Sequence, residues 1–296
     1  MQHGVLSPGQ ELPPFFARLD GNLILAMLVY LKSGSFYVVK VAMQGKLDRE
    51  YRGLTMAHAA MPRNVARPIG LTSHRSFPVL VSSGVHHKPL ASFRRSMEMF
   101  ENGITSFFAT SARVFVTRLS TESIDLLDAL EHTSMLTPWP DWQTYWNHIA
   151  SAAAALPRIY QHGDLTVNNI GVAGGELIFF DWEDFAHVDL PGFDLAVLLM
   201  SLNDFNVQRF IARIQHSSLE RRLMQDSCAH LGLTTGLFLL LIPAYLSLFA
   251  RMKGILGYSP EVAGRAITAL AQWLVSKYSP SELSCCYTKK IWFIHL

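Results

Sequence analysis

The sequence predicts an α+β protein, with a small β-rich unit over residues 1–85 and a larger, mainly helical unit over residues 86–296. Three observations lead there. Two apolar, β-rich runs flank a polar turn inside Gly21–Met43. Helical periodicity dominates after about residue 85. Between His162 and Asp184 the stretch "HGDLTVNNIGVAGGELIFFDWED" crowds acids and amides around a short apolar segment, in a chain with only 16% charged residues. With 296 residues, half of them apolar and 11% aromatic, the chain has enough material for a large core and is not composed like a disordered protein.

The elements follow in order. "GNLILAMLVYLKSGSFYVVKVAM" reads as a hairpin turning at Lys32-Ser33-Gly34-Ser35, and its first run is about half the length that a membrane span requires. Gly45–Ala60 reads as a helix, with Leu47, Tyr51 and Leu54 on one face and Asp48, Arg49 and Glu50 in its early part. Phe77–Val85 is a strand entering a Ser-Ser-Gly turn. Ser123–Leu136 is a helix with Ser123 as its N-cap. Leu231–Ala250 carries no charge over twenty residues and is followed by Arg251 and Lys253. It satisfies the length and composition of a spanning helix. A helix buried at the centre of the helical unit, with Pro243 as a kink or a break, is favoured, because no second span exists. Ser259 and Pro260 open a last helix, and Ser284–Leu296 follows no pattern.

Charge is uneven although the net is only +2, a total that gives no reason to expect a nucleic-acid partner. Residues 1–90 hold ten Lys/Arg against four acids, residues 91–194 five against fourteen, and residues 195–296 ten against five. An acidic middle suits a cation, and basic flanks suit phosphate. Cys228, Cys285 and Cys286 are too few for a disulfide framework and lack metal-ligand spacing, which points to a reducing, cytoplasmic location. The first residues show no basic region followed by an apolar run, so no signal peptide is expected.

The chemistry concentrates in His162–Asp184. Ala173-Gly174-Gly175 is a turn signal between two short strands, and Asn169 and Asp181 flank the hairpin almost symmetrically. An amide oxygen and a carboxylate brought together in this way suit Mg²⁺, which takes a few protein oxygens and shares the rest with phosphate. Asp164 lies five residues before Asn169, where a carboxylate can orient a substrate hydroxyl and accept its proton. The competing possibility is a polar turn capped by Asn and Asp.

"His162-Gly163-Asp164-Leu165" with Asn169, followed by "Phe180-Asp181-Trp182-Glu183" and "Phe193-Asp194-Leu195-Ala196", resembles the signature of the aminoglycoside phosphotransferase/choline kinase family of small-molecule kinases. The resemblance implies a protein-kinase-like two-lobe fold. It also implies an O-phosphotransferase that uses ATP or GTP with Mg²⁺. Asp164 would be the catalytic base, and Asn169 and Asp181 the magnesium ligands. His162 would stabilise the loop, and Asp194 would brace it from the helix beyond. In "Phe36-Tyr-Val-Val-Lys40-Val-Ala42", Lys40 resembles the strand lysine that contacts the α/β-phosphates, and Glu50 resembles its helix partner. Leu80, Val81, Ser82 and Gly84 would form the hinge that binds the nucleotide base through backbone groups. Two positions depart from the family pattern. Only Asp20-Gly21-Asn22 precedes Lys40 where a Gly-rich loop is expected, and Thr166 stands where many members carry a second histidine.

The expected partner is a small molecule bearing a hydroxyl, such as a sugar, a glycan or an amino sugar. Oligomeric state stays open, and so does peripheral membrane contact through Leu231–Ala250, which is not favoured. Two other readings stay open: a nucleotide-binding scaffold of the same fold, and a protein kinase. The latter lacks its Asp-Phe-Gly, since Asp181-Trp182-Glu183 stands in that place.

Overall fold

The computed structural model describes residues 18–19, 25–31, 33–42, 46–90, 97–117, 123–136, 147, 150–216, 218–255, 267–270 and 272–274. The expected loop at Asp20-Gly21-Asn22, the helix start at Ser259-Pro260, the tail, Cys285 and Cys286 lie outside these residues. The chain divides into two units, Met1–Phe93 with Ile170–Phe185, and Arg94–Asn169 with Ala186–Leu296.

The first unit is built on a five-stranded antiparallel sheet of β1 (Arg18–Leu19), β2 (Leu25–Tyr30), β3 (Phe36–Val41), β4 (Pro68–His74) and β5 (Phe77–Ser83), ordered β1-β2-β3-β5-β4. The hairpin read in Gly21–Met43 is β2 and β3, paired from Leu25↔Val41 to Tyr30↔Phe36. Gly34, at φ 86°, supplies the left-handed turn residue that a Cβ would oppose. Helix α1 (Lys46–Ala60) follows and buries Leu47, Leu54 and Ala57.

The same unit contains a smaller sheet of β6 (Lys88–Pro89), β9 (Ile170–Ala173) and β10 (Glu176–Phe179). Gly174 and Gly175, at φ 58° and 84°, close the hairpin between β9 and β10 as a two-residue turn with both positions left-handed. A division at residue 85 puts this hairpin in the second unit, whereas the structure groups it with the first. The reason is hydrogen bonding: β9 pairs with β6, Phe179 N–H donates to Asn64 O at 2.8 Å, and Asn64 Nδ2 donates to Leu177 O at 2.8 Å. The chain thus returns to the first unit through sheet contacts that local sequence pattern does not encode.

The second unit holds α2 (Met97–Val114), the short strands β7 (Val116–Thr117) and β8 (Arg158–Ile159), and α3 (Leu126–Leu136). It continues through α4 (Phe193–Ser201), α5 (Val207–Gln215), α6 (Leu219–His230) and α7 (Thr235–Ile255). All nine residues of α4 are buried, which makes it the central helix. It packs on α5, α6 and α7, while α2 packs on α6 and α3 on α7. Two of these contacts carry an ion pair: Arg222 donates to both carboxylate oxygens of Glu101 at 2.7 and 2.9 Å, and Arg251 Nε donates to Asp128 at 2.8 Å.

Two local expectations change. The N-cap of α3 is Asp125, not Ser123: its Oδ1 accepts from Leu127 N–H and Asp128 N–H. Both residue types cap well, and the one nearer the first helical turn does so. Pro243 neither breaks nor ends α7, which runs through it. Leu241, Ala244, Tyr245 and Leu246 around it are fully buried, so packing outweighs the lost backbone hydrogen bond. Among the described residues α7 is the one helix long and apolar enough to cross a membrane, with mean hydropathy 1.6 over Thr235–Gly254. In the structure most of that apolar surface is buried, with α3, α4 and α6 packed against the helix.

Tyr245 fixes the entry to α4. Its Oη donates to Pro191 O at 2.7 Å, and Gly192, at φ 91°, has no room for a Cβ because that hydroxyl would lie 2.7 Å away. Tyr245→Phe leaves a buried carbonyl without its donor and is expected to lower stability by about 1–2 kcal/mol. Urea denaturation checks this as a lower midpoint with an unchanged slope.

Candidate active site

In the first unit the polar centre is Lys40 on β3. Its Nζ lies 2.7 Å from Glu50 Oε1 on α1 and 2.9 Å from Asp181 Oδ1, two residues past β10. An ammonium in an apolar strand is costly unless paired, and here three segments converge on it. Burial pulls the Lys40 pKa down, but the carboxylates of Glu50 and Asp181 outweigh it, and the net direction is up. Lys40 is therefore a fixed positive charge.

Asp181 sits at φ 59°, ψ 63°, a left-handed conformation that Asp tolerates better than most residues. The turn Trp182–Asp184 follows, and Trp182 is fully buried beneath α1. Gly53 of α1 lets this turn approach, since a Cβ there would meet the Phe185 side chain at 2.8 Å. The Asp181 side chain makes no capping hydrogen bond to the turn and is 39% exposed. Burial, and next the charge of Asp181, push Glu183 up to about 7. Four carboxylates, Glu50, Asp181, Glu183 and Asp184, thus act on one another around a single ammonium. That local excess of negative oxygen fits a hard divalent cation.

In the second unit, Asp194 of α4 holds the loop that carries Asp164. Its Oδ2 accepts from His162 N–H at 2.6 Å, and its Oδ1 accepts from Gly163 N–H at 3.0 Å. Gly163, at φ 93°, provides the turn that presents both N–H groups. Burial pushes Asp194 up to about 7, against the pull of those two hydrogen bonds. The fully buried His162 ring accepts the Asp164 N–H at Nδ1, 3.3 Å away, which puts its own proton on Nε2. Asn169 Nδ2 donates to Asp164 O at 2.8 Å and to Asp164 Oδ2 at 3.2 Å. Asp164 is thereby oriented from both ends of a six-residue loop.

The family model for the phosphotransferase enzyme family matches residues 28–227, a span that contains both clusters. The chain belongs to this family. No curated protein matches the phosphotransferase by sequence. Solved structures share its fold. A thermostable mutant of aminoglycoside phosphotransferase APH(4)-Ia, in ternary complex with ADP and hygromycin B, is 15% identical with TM-score 0.57, covering 88% of this chain and 94% of its own. The ethanolamine kinase of Plasmodium vivax is 10% identical with TM-score 0.59, covering 89% and 83%. A choline/ethanolamine kinase family protein from Mesorhizobium loti is 14% identical with TM-score 0.59, covering 92% and 92%. The protein-kinase-like α+β fold expected from the motifs is the fold of this phosphotransferase.

One sequence expectation needs correction. Leu80, Val81 and Ser82 are not a hinge. They lie in the middle of β5, paired with Lys40, Val39 and Val38 on one side and with β4 on the other. A central strand leaves no backbone groups for a ligand. Of the four proposed hinge residues only Gly84 lies beyond the strand. Its N–H donates to Phe36 O at 2.7 Å, and the Phe36 ring fills the place of a side chain.

Three further residues escape sequence reading. Gln161 Oε1 accepts from Asp194 N–H at 3.2 Å, and its Nε2 donates to Ile159 O, so it locks the loop to α4. Ser201 Oγ accepts from Val167 N–H at 3.2 Å. Lys253 Nζ of α7 lies 3.1 Å from Asp164 Oδ2. Only Lys253 left a signal, as a charge just after an uncharged run.

Glu183 has a folded pKa of about 7, above its ordinary 4.5. The folded protein then binds more protons than the unfolded chain between these values, so this group's contribution to stability is lost as pH rises from about 4.5 to about 7. Glu183→Gln is expected to flatten that part of the stability curve, as measured by denaturation at pH 5 and pH 7 without added metal.

Proposed function

We propose that this phosphotransferase moves the γ-phosphate of ATP or GTP to a hydroxyl of a small molecule, a sugar, glycan or amino sugar, in the cytoplasm. The observation that carries the reading is the buried Lys40 ammonium held between Glu50 and Asp181. A permanently charged lysine in a sheet, fixed by a helix glutamate, is suited to holding nucleotide phosphates. The complex of the related aminoglycoside phosphotransferase with ADP supports a nucleotide as donor.

Asp164 is the proposed base. As the acceptor oxygen forms its bond to phosphorus, the bond from phosphorus to the bridging oxygen of the departing nucleoside diphosphate breaks, and the hydroxyl proton passes to the Asp164 carboxylate. Asn169, by donating with Nδ2, keeps Oδ1 as a ligand oxygen. Together with the Asp181 carboxylate it is the proposed protein contribution to a Mg²⁺ site. When bound, that ion supplies neutralisation of phosphate charge. Among the described residues no three His, Cys, Asp or Glu side chains form a metal cage, and Mg²⁺ commonly draws its other ligands from phosphate and water. His162, Gln161 and Asp194 hydrogen-bond within the loop and to α4, and are proposed as its positioning residues. Most of the rate enhancement in such a site comes from orientation and charge, which is what these side chains provide.

Thermal shift with ATP and GTP, with and without Mg²⁺, tests the reading, because a ligand that binds only the native state raises its apparent stability. Wild type should show a magnesium-dependent shift that Asp181→Ala loses. Asp164→Ala should keep the shift while turnover falls by about 10²–10⁴-fold. Near-normal turnover in Asp164→Ala would rule out Asp164 as the base.

A further inference from the structure

Lys253 has no part in that mechanism, yet its Nζ lies 3.1 Å from Asp164 Oδ2, with both side chains mostly buried. The loop Asp164-Leu165-Thr166-Val167-Asn168-Asn169 contains no cation of its own. The charge at the base comes instead from the last turn of α7, with the ammonium 5.4 Å from the centre of the Phe249 ring. Phe249 in turn stacks on Phe205 at 5.6 Å. An aromatic face of this kind steadies an ammonium without neutralising it.

We infer that the acceptor carries an anionic group, a carboxylate or a phosphate, close to the hydroxyl that is phosphorylated, and that Lys253 recognises it. The inference rests on Asp164 being the base. A hydroxyl hydrogen-bonded to that carboxylate lies about 2.7 Å from one of its oxygens. Substituents on the neighbouring carbons then fall within a few ångströms of the Lys253 ammonium. The Asp164 carboxylate offsets part of that charge, and in a partly desolvated site the N–H donors of the ammonium still favour an anionic substituent over a cationic one.

The rest of the unit points the same way. A polycationic acceptor needs uncommitted acids, and among the described residues three acids on or next to the surrounding helices are engaged by arginines. Glu101 of α2 pairs with Arg222, Asp128 of α3 pairs with Arg251, and Asp204 before α5 pairs with Arg209. Within the proposed classes of acceptor this favours sugar acids and phosphorylated sugars over amino sugars.

The test uses two sets of compounds that share hydroxyls and differ in charge: glucose, glucosamine and glucose 6-phosphate, and glycerol, 3-amino-1,2-propanediol and glycerate. Binding is measured on the full chain by isothermal titration in the presence of a non-hydrolysable ATP analogue and Mg²⁺, for wild type, Lys253→Gln and Lys253→Arg. In wild type an anionic compound should bind at least about tenfold tighter than its amine counterpart, a difference that one well-placed charge can supply. The gap should close to within about twofold in Lys253→Gln and persist in Lys253→Arg. An amine that binds wild type as well as its anionic counterpart overturns the inference. So does a gap that survives Lys253→Gln, or no anionic compound binding at tens of millimolar. Loss of nucleotide binding in wild type is a different failure, since it removes the phosphotransfer reading itself.

Discussion

The first unit depends on one interaction, the pairing of the Lys40 ammonium with two carboxylates in a mostly buried position. β3 is apolar apart from this residue, so the sheet can form there only if the charge is matched. Glu50 arrives on the helix that follows, and Asp181, 141 residues after Lys40, arrives just past the β9–β10 hairpin. The hairpin is tied to the unit independently through Asn64 and β6, so the Asp181 carboxylate is delivered by backbone geometry and not by the ion pair alone. Removing either acid would leave a buried charge underpaired, which is costlier than never having placed the lysine there. Charge matching, close packing of Trp182 under α1 and the left-handed backbone at Asp181 all constrain the same few residues. Strain of this kind persists only where the surroundings fix the conformation several times over.

The second unit solves a different problem. Here the buried charge is Asp194, and its partners are backbone N–H groups. Two such donors at 2.6 and 3.0 Å satisfy the carboxylate, yet burial still raises its pKa. The purpose is geometrical. A carboxylate in the first turn of a wholly buried helix is as rigid a reference point as the unit offers, and the His162-Gly163 backbone is pinned to it. Gln161 repeats the logic from the loop side by accepting the α4 backbone N–H. Rigid elements thus hold an irregular segment in place, and such segments are where reactive groups are commonly carried.

Much of this was legible in the sequence because the chemistry restricts residue type. A lone lysine in an apolar strand needs acids near it, and the structure brings Glu50 and Asp181 to Lys40. The Gly-Gly turn fixes where the hairpin closes, and with it where Asp181 leaves β10. Asp194, singled out by its motif, accepts two hydrogen bonds from the His162-Gly163 backbone. What was not legible depends on contacts between distant segments. The hinge expectation rests on position in the chain alone, and only the register with β3 and β4 shows that Leu80, Val81 and Ser82 are interior to a sheet. The return of the hairpin to the first unit is a matter of which strand edge is free, and no local pattern records it. Gln161 and Ser201 are polar residues in apolar surroundings whose partners are backbone atoms, so their own sequence context gives no hint of them.

The uncharged run before Lys253 shows how one feature supports two readings until packing is known. By composition α7 could lie in lipid, but here its apolar surface meets α3, α4 and α6. A helix so deeply buried cannot rotate or slide without exposing its core face, and this holds even across Pro243, where Ser247 Oγ donates to the proline carbonyl at 2.7 Å. The charge at its far end inherits that rigidity. Lys253 has a long, flexible stem, and on a surface helix its ammonium would sample many positions. At the end of a buried helix, beside Phe249 and 3.1 Å from Asp164, it is confined. The apolar length that first suggests a membrane is, in this fold, what places a single positive charge beside the carboxylate on which the proposed chemistry turns.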